Sequence, residues 1–420
     1  MPPEVDPKIA HLSPDDIELL VACYYDKTNK VVDILEQFEI DVHPTQLRKL
    51  LPPSITDEHC PYCSGALYKE RPARTEPSSL DCDLFCDKCG HREFAEYYSW
   101  KTCNCAACTE RRRIEAKEEA RLRQSHEEVV RSRAHYSFGH DRPSTPYTIY
   151  DFQITEAVYL LALMRASRAE SLLALGTFSP NGIQDNITTS TDQTSLLLRE
   201  LRDAGVIGVA AYQSPIEAFD LGDDDTLSYY IFKVHYETTF APDEDTAAEL
   251  LKEIEQAFRT KNWPHHWRFD GAEDLYDLWK KFALEESLQY LRYYLEERKL
   301  PYNPGPKTLQ VLESALENFS TSQVVKMIWA AAKGAVDFMQ RKGVSAKHAA
   351  NTVPGAIQRY ADRVLAEGWD YKGFERNYNM PRSMVVEILH DLALQLGSKG
   401  WSTSPNLESV SNQPLIDASE

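Results

Sequence analysis

The amino-acid sequence predicts a multi-domain, mainly α protein with a small cysteine-rich module near its N-terminus and a mixed α/β region at its centre. Three observations lead there. Eight of the nine cysteines fall between Cys60 and Cys108. Apolar residues recur at helical spacing before that cluster and through most of the second half. Between residues 206 and 236, β-rich stretches interrupt the helical pattern. A chain of 420 residues corresponds to roughly two to four domains of ordinary size. The expected divisions are a three-helix unit at 1–53, a metal module at 54–108, a charged connecting helix at 109–135 and a linker at 136–147. An α/β domain at 148–242, a helical domain at 243–403 and a disordered tail at 404–420 follow.

The first element opens at Ser13-Pro14-Asp15-Asp16, which reads as an N-cap, a Pro at the first helical position and acid in the first turn. Ile17, Leu19, Leu20, Cys23 and Tyr24 then form an apolar stripe. A second helix is expected over Asn29–Phe38. A third begins at His43-Pro44 and is stopped by Pro52-Pro53. Three short helices with a tight second connection suggest a helix-turn-helix-like unit, or equally a small packing module. Read as the former, its third helix offers Arg48 and Lys49 to DNA.

The cysteines carry the clearest chemistry. Cys60-Pro-Tyr-Cys63 and Cys86-Asp-Lys-Cys89 are two CxxC pairs, separated by 22 residues. Each pair delivers two thiolates from one turn, and two pairs fill a tetrahedral zinc. The gap is long because Arg71 to Ser79 reads as a polar loop. Leu67-Tyr68, Leu84-Phe85 and Glu93–Tyr98 read as short strands, and Gly90 suits a turn that needs positive φ. Residues 60–98 therefore resemble a zinc ribbon. The resemblance implies a fold element, not an activity. Four thiolates leave no open position for substrate, so this zinc is expected to be structural.

Cys103-Asn-Cys105-Ala-Ala-Cys108 supplies three further thiolates. They are either reduced thiols without metal or part of a second zinc site. That site needs a fourth ligand, for which Cys82 is preferred and His91 is the other candidate.

From Thr109 to Ala134 the chain carries eight Lys or Arg against six Glu, with no Gly or Pro. This predicts a long exposed helix laced with i,i+4 charge pairs. Arg111, Arg112 and Arg113, together with Arg71 and Arg74 in the ribbon loop, complete the candidates for nucleic-acid contact.

In the central domain, helices are expected over Ile154–Ser167 and over Asp192–Ala204, the latter closed by Gly205. Strands are expected over Val206–Tyr212 and Leu227–Tyr236. Helix, strand, loop, strand is a winged-helix-like order. The loop Asp220–Asp225 carries four acids, so this face suits a protein partner better than phosphate. The last domain reads as helices over Asp245–Phe258, Glu273–Lys299, Ser320–Gln340, Val344–Glu367 and Pro381–Leu396. His265-His266 read as packing or surface residues. Arg341, Lys342, Lys347, His348 and Arg359 form a candidate basic patch for a phosphate or an acidic partner.

The net charge is 46 − 65 = −19, about half of it between residues 210 and 300, so any nucleic-acid contact must be local. The apolar runs are too short to span a bilayer and no apolar signal segment opens the chain, which points to the cytoplasm. No P-loop, dinucleotide fingerprint, nucleophile elbow or HExxH is present. The leading expectation is a nucleic-acid-associated regulator or accessory factor with one or two structural zinc ions, touching DNA or RNA through its N-terminal module. The alternative is a protein–protein adaptor whose zinc module braces an interaction surface. A third reading, an enzyme using Lys347, His348 and Asn351, has no reaction type behind it. Oligomeric state is not encoded in any recognisable motif.

Overall fold

A computed structural model describes residues 5–75, 83–94, 101–167, 169–179, 186–222 and 224–411. The chain divides into two compact units, Met1–His126 and Glu127–Glu420. It is mainly helical with small sheets. Among the described residues, no helix is long and apolar enough to cross a membrane.

The first unit opens with α1 (Pro14–Tyr25), whose start is fixed by a reciprocal cap between Ser13 and Asp16. Helix α2 (Val31–Gln37) follows, and a 3₁₀ turn at Pro44–Gln46 leads into α3 (Leu47–Leu50). The third helix is thus shorter than its sequence pattern suggests, because Pro52-Pro53 ends it after one turn. Ile9, Leu20, Tyr24, Ile34, Leu35, Phe38, Leu47 and Leu50 form one small core.

Four antiparallel strands then run as a meander: β1 (Ser54–His59), β2 (Ala66–Lys69), β3 (Leu84–Phe85) and β4 (Arg92–Glu93). Strand β1 is polar and mostly exposed, so no apolar alternation announces it; pairing with β2 defines it. The part of the third expected strand from Ala95 to Tyr98 lies outside the described residues. Helix α4 (Ala106–Phe138) carries the chain out of this unit, and the unit boundary falls within it. From Arg113 to His126 its side chains are exposed all round, as expected of a solvated, charge-laced helix.

The second unit contains α5 (Ile154–Ala166), β5 (Ala174–Gly176), α6 (Thr191–Asp203), β6 (Ile207–Val209), β7 (Phe219–Leu221), β8 (Leu227–Tyr229) and β9 (Tyr236–Thr238). Strands β5, β9 and β6 form one antiparallel sheet in that order, and β7 pairs with β8 in a separate hairpin. The single strand expected over Leu227–Tyr236 is therefore two strands in different sheets, broken by a turn at Tyr230–Val234. Gly205 takes positive φ after α6, as its place at the helix end requires.

Helices make up the remainder: α7 (Glu244–Thr260), α8 (His265–Phe269), α9 (Gly271–Glu297), α10 (Pro306–Leu316) and α11 (Thr321–Lys342). Then come α12 (Ala346–Ala350), α13 (Val353–Glu367), α14 (Met384–Glu387), α15 (Lys399–Ser402) and α16 (Leu407–Ser411). Ser320 and Gln323 form the capping box that starts α11. The break before Pro354 separates α12 from α13. Helix α14 runs directly into a π-helical turn at Ile388–Ala393.

One core joins Leu160, Leu198, Val209, Tyr236, Ile254, Trp279 and Leu389. It crosses the expected division at 242/243, because α7, α9 and α14 cover the same apolar faces of α5 and α6. A second core lies among α9 to α13. The segment expected as a linker is packed: Tyr147 N–H donates to Phe240 O at 2.8 Å, and Phe138 stacks near Tyr229. The expected disordered tail also needs correction. Val410 on α16 is buried in the main core, which anchors the chain to Ser411; residues 412–420 lie outside the description.

The second unit also buries charge. Glu286 pairs with Arg376 at 2.7 Å, and Arg376 lies 4.1 Å over the ring of Trp401. Burial raises the Glu286 carboxyl against the pull of Arg376. His390, on the π-helical turn, is 3% exposed. Burial, aided by Arg376 and Arg382, lowers its imidazole to about 3.

Candidate metal centre

The two CxxC turns of the first unit are built alike. In the first, Ser64 N–H donates to Cys60 O at 2.9 Å and Cys60 N–H donates to Gly65 O at 2.7 Å. In the second, Gly90 N–H donates to Cys86 O at 3.0 Å and Cys86 N–H donates to His91 O at 2.8 Å. Both turns need a left-handed residue after the second cysteine: Ser64 at φ 55° and Gly90 at φ 69°. The residue that closes each turn differs. Gly65 has no side chain because a Cβ there would press on Cys86 Sγ at 3.2 Å. His91 has one and turns it to a different use.

The turns bring Cys60, Cys63, Cys86 and Cys89 together, with all four sulfurs within 4.8 Å of one another. Cys60 Sγ lies 3.5 Å from Cys89 Sγ, and Cys63 Sγ lies 3.4 Å from Cys86 Sγ. Metal–sulfur bonds of about 2.3 Å in a tetrahedron set neighbouring sulfurs about 3.8 Å apart, so the group fits zinc. Burial raises the Cys89 thiol, and its neighbouring thiols oppose its ionisation; together they push it up to about 12 despite a backbone bond from His91. Adjoining sulfurs do not all ionise unaided, and a divalent cation supplies the missing charge.

A second group gathers His91, Cys103, Cys105 and Cys108, again with ligand atoms within 4.8 Å of one another. His91 Nδ1 lies 3.3 Å from Cys108 Sγ and 3.8 Å from Cys105 Sγ. Its Nε2 lies 3.2 Å from Glu93 Oε1, which orients the ring and leaves Nδ1 as the atom available to a metal. Cys82, the preferred fourth ligand from the sequence, lies outside the described residues; His91 completes the group among those described. The signal for His91 was the repeat of the knuckle itself, Cys60 to Gly65 against Cys86 to His91.

The third cysteine run works because it ends at a helix. Cys105 precedes α4, and its sulfur accepts the N–H of Cys108 at 3.4 Å. Thiolates there face the positive end of the helix. Cys103 Sγ accepts the N–H groups of Arg92 at 3.1 Å and Cys105 at 3.5 Å. Burial raises the Cys103 thiol, but these donors outweigh it and bring it down to about 6.

The arginines expected to meet phosphate are engaged within the unit. Arg71 Nε donates to Pro52 O at 2.5 Å. Arg74 Nη2 donates to Asp26 O and, at 2.8 Å, to Asn29 O, which ties the ribbon loop to the helical unit. Arg112 Nη1 donates to Cys103 O at 2.7 Å. Arg113 pairs with Glu110 at 2.8 Å, and Arg111 pairs with Glu115 at 3.5 Å while lying over Tyr62. Arg48 is half-buried and Lys49 is exposed on α3.

In the second unit, Arg341 and Lys342 end α11, Lys347 and His348 lie on α12, and Arg359 lies on α13; all five are exposed. His348 sits 5.9 Å from the Phe338 ring. His266 Nε2 reaches Phe152 O at 2.9 Å, a packing role. Asp225 pairs with Arg133 at 3.0 Å, and Asp224 caps its own turn at Thr226; Asp223 lies outside the described residues.

Fold and site together define a mainly helical chain with two cysteine-rich groups compatible with zinc binding. No protein-family model matches this chain, and no curated protein or solved structure matches it either.

Proposed function

We propose that the chain is a protein–protein adaptor, with two zinc ions as structural fasteners of an N-terminal interaction module. One observation carries this reading: five of the seven basic candidates for nucleic-acid contact, Arg71, Arg74, Arg111, Arg112 and Arg113, have partners inside their own unit. Arg71, Arg74 and Arg112 hold backbone carbonyls, and the other two are neutralised by glutamates. A phosphate backbone needs cations that are available to it. Both metal groups are complete in protein ligands, which suits fastening and leaves no position for a reacting water.

The central region supports the same reading. The order α5, β5, α6, β6, hairpin, β9, with β9 between β5 and β6, is compatible with the winged-helix-like reading of this region. Its hairpin carries Asp220, Asp224 and Asp225, and Arg202 on α6 is held by Asp203 and Tyr229. Exposed Asp220 and Asp224 favour a basic protein surface over phosphate there, while Asp225 is already paired with Arg133. A reducing compartment such as the cytoplasm would keep all eight clustered cysteines available as thiolates.

The test is a fluorescence-anisotropy titration of the full chain against duplex and single-stranded DNA and RNA over a salt series. The adaptor reading expects no salt-dependent binding tighter than about 1 µM. Tighter, salt-sensitive binding would overturn it and restore the nucleic-acid-associated regulator. A cross-linking pull-down provides the positive arm: partners should be captured by the metal-loaded chain and lost after chelation.

A further inference from the structure

The two metal groups share parts, and the sharing runs one way. Cys89 belongs to the first group, and His91, two residues later, belongs to the second. The backbone of His91 closes the second knuckle by accepting from Cys86 N–H, so the turn that presents two ligands to the first site also aims the imidazole of the second. Tyr62 adds a second link. It lies between Cys60 and Cys63 in the first knuckle, yet its ring stands edge-on to His91, with centroids 4.8 Å apart at 72°. Its hydroxyl interacts with Cys108, another ligand of the second group. Arg111 lies 5.8 Å from the centre of the same ring.

Contact in the reverse direction is slight among the described residues: Cys103 Sγ lies 4.0 Å from Gly90 O, at the outer limit for a sulfur donor. The first group is closed by backbone bonds from Ser64, Gly65, Gly90 and His91, and none of these uses a side chain of the second group. Cys103, Cys105 and Cys108 depend instead on one another, on α4 and on the N–H of Arg92.

We propose that the two sites load in order, the four-cysteine site being a prerequisite for the His91 site, and that Tyr62 is the positioning residue that transmits this order. With the first site empty, the knuckle holding Tyr62 and the turn holding His91 both lose their anchor. Only three cysteines near the start of α4 then remain in place, one ligand short of a tetrahedron. With the second site empty, the first keeps all four ligands and all its backbone closures. The inference rests on both groups binding metal, and its test separates the two claims.

The test is titration of the metal-free full chain with Zn²⁺, followed by native mass spectrometry, and with Co²⁺, followed by its thiolate charge-transfer and d–d absorption. These bands distinguish four-sulfur from three-sulfur-one-nitrogen ligation. The unmodified chain should acquire the four-sulfur signature first and the mixed signature second, ending with two metals. His91→Ala should keep one metal with the four-sulfur signature. A chain carrying Cys60→Ser and Cys63→Ser should lose both metals. Tyr62→Ala should leave the first site's affinity unchanged and weaken the second about 10- to 100-fold, as loss of an outer-shell support does. Tyr62→Phe, which keeps the ring, should recover most of that loss. A Cys60/Cys63 variant that still shows the mixed signature, or a Tyr62→Ala chain with undiminished second-site affinity, would overturn the order while leaving both metal sites standing. An unmodified chain that binds fewer than two metals would remove the reading on which the order rests.

Discussion

Among the described residues around the metal groups of the first unit, the apolar cluster consists of Leu67, the partly buried Tyr62 and Leu84, and the ligand cysteines Cys60, Cys63, Cys86 and Cys89. In the second unit, a continuous core runs from Val130 to Val410 and includes Trp267, Trp279, Phe240, Phe258 and Tyr236. The described strands of the first unit are two to six residues long and bury few apolar side chains among the described residues. The strands of the second are no longer, yet they lie against helices that bury them on a large apolar face. The contrast shows two ways of holding short strands in place. One, on the proposed reading, uses coordination bonds together with backbone staples from arginine; the other uses area removed from water.

That contrast can be broken most sharply by removing metal. Chelation of the full chain should abolish hydrogen-exchange protection across residues 54–108 and leave the helices of residues 154–367 protected, since structural zinc contributes about 10 kcal/mol or more to such modules. Loss of protection in both units at once would mean that the second depends on the first. Next in size is the buried ion pair. Arg376→Ala strands Glu286 in the core and should cost about 3–5 kcal/mol in urea unfolding, with metal content unchanged.

The pH response should also belong to the second unit. His390 is held neutral well below its ordinary value of 6.5, so its folded form resists protonation while its unfolded form accepts it. Above pH 6.5 the group contributes nothing that varies. As pH falls below 6.5 stability is lost, reaching about 1.4 kcal/mol by pH 5.5, and the loss continues down toward the folded value. His390→Gln should flatten that slope in thermal unfolding followed over pH. The smallest effect is expected at Arg74. Arg74→Ala removes donors to Asp26 O and Asn29 O and should cost about 1 kcal/mol, seen as faster exchange in the ribbon loop and the turn after α1.

What the sequence disclosed follows the range of the interactions concerned. The cysteine knuckles, the N-cap at Ser13, the capping box at Ser320 and the glycines at 90 and 205 are set by residues within a few positions of one another, so spacing reveals them. Strand β1 is different: Ser54 to His59 has no alternation, and only Ala66 to Lys69 across the turn makes it a strand. The roles of Arg71 and Arg74 were hidden for the same reason, since their acceptors lie 19 to 48 residues away. Val410 reads as tail until the core it enters is known. His91 lay between these cases. Its place in the repeated knuckle was legible, but its partnership with Cys105 and Cys108 depends on how α4 returns to the ribbon.

The central claim is that residues 60–108 are a two-metal fastener. Its most direct measurement is the zinc content of the purified full chain, counted by native mass spectrometry and checked by elemental analysis. Two zinc ions per chain are predicted, falling to one in His91→Ala. A chain that folds with one zinc or none, with Cys103, Cys105 and Cys108 titrating as free thiols, would contradict it.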